Sequence, residues 1–120
     1  MRLIDDAGSF PRWLREATLA VATFGVTAYE LAFLGVPAVL VSHSEENAAS
    51  AARYARHGAA VDLGFVNRVR DRDAVLAIEA LLNDSVARRR LARAGRALVD
   101  GAGAERLAEL VNSLQRGRTL

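Results

Sequence analysis

Residues 18–47, TLAVATFGVTAYELAFLGVPAVLVSHSEEN, restrict the fold more than any other stretch of the chain. Residues 19–23 (LAVAT) carry no charge and read as a strand buried on both faces, as parallel strands are. Gly25 follows, and residues 27–34 read as a short helix stopped by Gly35, Val36 and Pro37. Residues 38–41 form the next buried strand. Ser44 or Glu45 then opens a helix that runs to about His57 and closes at Gly58. This order predicts parallel strands with right-handed crossovers, and two loops side by side at the strands' carboxyl ends. Open α/β sheets bind ligands there.

The remainder is consistent with one α/β domain. Residues 1–5 (MRLID) read as a short strand. Ser9 is placed to cap a helix over about residues 10–17, with Pro11 in its first turn and Phe10, Trp13, Leu14 and Ala17 towards one side. Residues 59–63 (AAVDL) give a weaker strand ending at Gly64. Asp71 or Asp73 can cap a helix bearing Val75, Leu76, Ile78, Leu81 and Leu82, which Asn83-Asp84-Ser85 breaks. A second helix, to about Val99, turns Leu91, Ala94 and Leu98 inward and Arg88, Arg89, Arg93 and Arg96 mostly outward. After an Asp100–Gly103 turn, a helix from Ala104 to about Gln115 carries a stripe of Leu107, Leu110, Val111 and Leu114 and is expected to wrap back across the sheet. The expected fold is a truncated, Rossmann-like, three-layer α/β domain with a short parallel sheet of three or four strands and a helical C-terminal tail.

Composition excludes several classes. A chain of 120 residues suffices for one domain and a core that needs no covalent staple. It has no cysteine, which rules out thiol catalysis, cysteine-held metal and disulfides. No apolar run is long enough to span a bilayer, and no basic segment followed by an apolar one marks a signal peptide, so a cytoplasmic location is expected. The pI is about 9.9. The net charge is nevertheless only +2, from 16 basic and 14 acidic residues, and every basic residue is Arg. The high pI thus reflects the Arg pKa rather than a strong field. Basic residues do not interleave with aromatics, so no nucleic-acid partner is expected. Two isolated His and scattered acids make no metal constellation, and no cofactor is indicated.

The candidate chemistry gathers at the two loops. In Thr23-Phe24-Gly25-Val26-Thr27, a glycine between strand and helix lets backbone amides approach a phosphate at a positive helix end, and Thr27 adds a hydroxyl. The same pattern also serves as a plain tight turn with Thr27 as cap. Glu30 can accept two hydrogen bonds from a vicinal diol, or simply complement the helix dipole. Ser44 is a cap, and Glu45 and Glu46 would repel a diphosphate at that helix start. A neutral, hydroxyl-rich ligand meeting Asn47 suits it better. His43 sits at a strand's carboxyl end, where a general-base role competes with bland readings. His57 reads as structural near a helix C-terminus, and Arg88-Arg89-Arg90 as a solvated face.

Together these residues resemble the C-terminal half-domain of GT-B-type glycosyltransferases. The likeness is greatest to the nucleotide-sugar hydrolases of pseudaminic acid synthesis and the related spore-coat polysaccharide biosynthesis proteins. It is more distant to the lipid II-forming GlcNAc transferase. The family's A-G-G-S-T-x-W-E, L-A-x-x-G-x-P, D-N-Q and A-G-A-A-V-x-L-G stand here as TFGVTAYE, LAFLGVP, SEEN and RHGAAVDLG, with no gap between Thr18 and Gly64. VDGAGAERLAEL, residues 99–110, resembles the family's D-G-x-G-x-x-R signature. The resemblance implies a uridine or cytidine diphosphate-sugar as ligand. Its diphosphate would meet Thr23, Gly25, Val26 and Thr27, its ribose Glu30, and its sugar the segment with His43 and Asn47.

This chain departs from the pattern in informative places. Phe24 and Val26 replace a glycine and a serine, Tyr29 replaces tryptophan, and Asn47 is one methylene shorter than the usual glutamine. Phe24 is expected to crowd the phosphate approach. The resemblance also implies that catalytic groups come from an N-terminal domain or partner chain absent here, making residues 1–120 one incomplete nucleotide-binding domain. The strands that would flank LAVAT are missing as well. Residues 1–5 are expected to move beside that edge, or a second copy to cover it as a homodimer.

Overall fold

A computed structural model describes residues 3–118. Helix α1 (Phe10–Glu16) precedes β1 (Ala20–Thr23), α2 (Val26–Leu34), β2 (Ala38–Ser42), α3 (Glu45–Ala55) and β3 (Val61–Phe65). A 3₁₀ turn (Val66–Arg68) leads into α4 (Asp71–Leu82), α5 (Ser85–Leu98) and α6 (Gly103–Arg118). The three strands form one parallel sheet in the order β1-β2-β3. The expected α/β fold with a short parallel sheet, flanking helices and a long C-terminal helix is therefore what the chain adopts.

The central segment folds as its pattern dictates. Ala20 pairs with Ala38 and Thr23 with Val41, so β1 and β2 end level. Gly35 closes α2 at φ 70, in the left-handed region that favours glycine. Ser44 Oγ accepts the Asn47 amide and so caps α3. Strand β3 begins and ends two residues later than expected, because Ala59 and Ala60 are buried in the turn that follows α3. Gly64, at φ 90, accompanies a slip in register between Leu40 and Ser42, where the Asp62 carboxylate accepts the Gly64 amide.

One face of the sheet holds the core. Ala38 and Leu40 of β2 pack with Ala28, Leu31 and Ala32 of α2, Val36, Tyr54 of α3, and Ala59 and Ala60. Small residues let the layers approach closely. Gly95 of α5 lies so near α2 that a Cβ there would be 3.0 Å from Ala32 Cα. On the other face Val39 is fully buried, whereas Val21 on the edge strand is 57% exposed.

Several expectations are corrected. Met1 and Arg2 lie outside the described residues, and residues 3–6 form no strand. Leu3 and Ile4 have no apolar face to join, and Asp6 instead builds a turn whose carboxylate accepts the Gly8 amide. The outer edge of β1 thus has no strand beside it among the described residues. Ser9 sits at the start of α1 without capping it by its side chain. Its hydroxyl donates to the Asp6 carbonyl. Asp71 and Asp73 lie inside the first turn of α4, after Arg70, which pairs with Asp73. Of the apolar residues of α4 only Leu81 is buried, since the small sheet offers it little surface. Helix α6 does not wrap back: each of its described residues is exposed, and the molecule extends 61 × 31 × 30 Å. No helix among the described residues is long and apolar enough to cross a membrane.

Candidate functional site

The level ends of β1 and β2 bring the Phe24–Thr27 and Ser42–Asn47 loops side by side, as the sequence order requires. Gly25 is extended, at φ 169, and a Cβ there would meet nothing within 4 Å, so its surroundings are open. Val26 and Thr27 open α2, so their amides lie in the first turn, where helical amides have no partner within the helix. Thr23 and Val26 are exposed and Thr27 is half-buried. His43 and Asn47 are exposed on the neighbouring loop and first turn of α3. Arg68 reaches the Glu45 carboxylate and offsets part of the acidity of that helix start.

The half-buried Phe24 ring packs against the core beside two tyrosines, with centroids 5.9 Å from Tyr29 and 5.5 Å from Tyr54. Tyr29 and Tyr54 are 5.4 Å apart, edge to face.

Glu30 is exposed on α2 and opens towards α1. It borders a groove of about 160 Å³ with Phe10, Pro11, Leu14, Arg15, Phe33 and Leu34. That groove does not extend to Asn47. The loops are neighbours, but no cleft described among residues 3–118 takes in both Glu30 and Asn47.

The largest cleft described, about 640 Å³, lies on the helical side of Phe24. Its walls are the α3 face bearing Ser50, Arg53, Tyr54 and His57, and the turn from Val99 to Gly103 between α5 and α6. Tyr54 Oη donates to the Ala28 carbonyl at 3.0 Å. Burial, with Tyr29 nearby, pushes its phenol up to about 12. In the opposite wall Arg106 donates to both Asp100 oxygens, at 2.7 and 3.1 Å, while the Ala102 amide donates to Asp100 Oδ1. These bonds hold the Asp100 carboxyl at about 2, well below its ordinary value.

Sequence reasoning singled out neither Arg53 nor Tyr54. A signal was present: Ser50, Arg53, Tyr54 and His57 recur at the spacing of a single helix face. What the sequence could not supply was the opposite wall, because the position of the α5–α6 turn depends on packing across the fold.

Over 113 residues the chain is 29% identical to the spore coat polysaccharide biosynthesis protein SpsG of Bacillus subtilis (strain 168). The match takes in 94% of this chain and 33% of that protein, so the chain spans about a third of its curated relative's length. No family model matches the chain, and no solved structure matches it. By this likeness the chain is a distant relative of a protein of spore coat polysaccharide biosynthesis.

Proposed function

We propose that this chain is the nucleotide-sugar-binding part of a glycosyltransferase or nucleotide-sugar hydrolase of surface polysaccharide synthesis. The open glycine turn carries the reading. Gly25, with the Val26 and Thr27 amides behind it, stands level with the end of β2 in a chain related to SpsG. In this reading the amides take a diphosphate at the positive end of α2, and Thr27 adds a hydroxyl. Glu30 takes ribose hydroxyls, and His43 and Asn47 meet the sugar. A further domain or partner chain supplies the catalytic groups and the missing wall of the pocket.

Calorimetric titration with UDP, CDP and their sugars tests this. Saturable binding that Glu30→Ala weakens about tenfold is expected, the loss of one charge-assisted hydrogen-bonding partner. Folded protein giving no heat at millimolar ligand overturns it.

A second reading is a non-catalytic scaffold that keeps the fold and binds protein. The exposed stripe of Leu107, Leu110 and Leu114 and the open edge of β1 favour it. Under this reading Glu30→Ala changes nothing that the protein binds.

A further inference from the structure

We propose that the cleft between α3 and the α5–α6 turn is a second binding site, for a small phosphate ester carried on a flat ring. The proposal does not depend on the strand-end reading, since no residue of this cleft other than Phe24 belongs to that loop.

The cleft has the size and the mixed lining of a small-molecule site. Its uncommitted charge is the Arg53 guanidinium. The Arg53 and His57 side chains make no hydrogen bond or ion pair among the described residues, and both line the opening from α3. Ser50, one turn before Arg53, adds a hydroxyl on the same face. The single carboxylate in the lining, Asp100, has both oxygens bound by Arg106, so the far wall does not repel an anion. An Arg fork facing an open cleft suits the oxygens of a phosphate.

The apolar part of the lining selects the other half of the ligand. Phe24, Tyr29 and Tyr54 are a cluster of mutually tilted rings in the lining, and Tyr29, 46% exposed, is the most open of them. A planar ring stacks there without a specific hydrogen-bond code. Both walls are fixed before any ligand arrives. Tyr54 is tied to the Ala28 carbonyl. Gly101, at φ 77, presses against Phe33 so closely that a Cβ would lie 2.7 Å from its Cε2.

The test uses uridine monophosphate, inorganic phosphate and uridine as separate probes, followed by amide chemical shifts of the whole chain. Uridine monophosphate is expected to move Tyr54, His57 and Gly101, with phosphate and uridine each binding more weakly at the same place. Arg53→Gln should weaken the nucleotide about tenfold or more, as expected for loss of a charge-assisted contact. Tyr29→Leu should reduce it to the level of phosphate. Arg89→Gln, exposed on α5 and outside both sites, should leave it unchanged. Nucleotide binding that persists in Arg53→Gln, or shifts confined to Gly25 and Thr27, overturns the proposal. If such binding is also lost in Glu30→Ala, the strand-end site stands and this one falls. No shift with any probe overturns this proposal while leaving diphosphate-sugar binding to its own titration.

Discussion

The Tyr54 hydroxyl of α3 donates to the Ala28 carbonyl of α2 at 3.0 Å, joining residues 26 positions apart inside the core. Tyr54→Phe keeps the ring and strands the carbonyl. A loss of about 1–2 kcal/mol is expected, read as a lower midpoint in urea with unchanged slope.

The same phenol makes stability depend on alkaline pH. Its folded pKa, about 12, is raised above the ordinary 10.0. The stabilisation it confers is therefore complete below about pH 10 and is lost as pH rises towards 12. Melting followed from pH 8 to 11.5 should fall more steeply in the wild type than in Tyr54→Phe, which has no proton to lose there.

Asp100 behaves in the opposite sense. Its folded pKa, about 2, is below the ordinary 3.8, so its contribution is present above about pH 4 and fades as pH falls through 2. Asp100→Asn removes the charge that Arg106 grips. Amide exchange in the first turn of α6 is expected to quicken, while the melting of the α/β body stays the same, because the pair is exposed and lies outside the core.

Gly95 is where the backbones of α5 and α2 come closest to touching. A Cβ there would lie 3.0 Å from Ala32 Cα. Gly95→Val should cost about 1–3 kcal/mol through overpacking, measured by denaturant unfolding.

Ser42 is fully buried and its hydroxyl has no partner among the described residues. Replacing it removes an unmet polar group and little volume. Ser42→Ala is expected to leave the melting temperature unchanged or raise it, by no more than about 1 kcal/mol in stability.

The strands and helices of residues 20–55 were legible because glycine, proline and capping residues punctuate strong apolar runs there. Ser44 capped as its type suggested; Ser9 did not, since the Asp6 carbonyl competed for its hydroxyl. Residues 3–5 had a strand's composition yet form no strand, although the outer side of β1 is open among the described residues, so composition alone did not secure the pairing that makes a strand. The apolar stripe of α6 predicted packing, and packing requires a surface, which this small sheet does not extend to it. For the candidate site, the adjacency of the Gly25 and Ser44 loops followed from strand order alone. The inward turn of Phe24 did not, because it depends on Tyr29 and Tyr54 from two other turns of helix.

Strand β1 is bonded to β2 and its other side is bare among the described residues, with Val21 and Thr23 exposed. A segment laid along that side would run out beside Gly25 and shade Val26 from water. Under the proposed function, completing the ladder and enclosing the ligand would be one event, and affinity at the glycine turn would rise and fall with whatever occupies the rim.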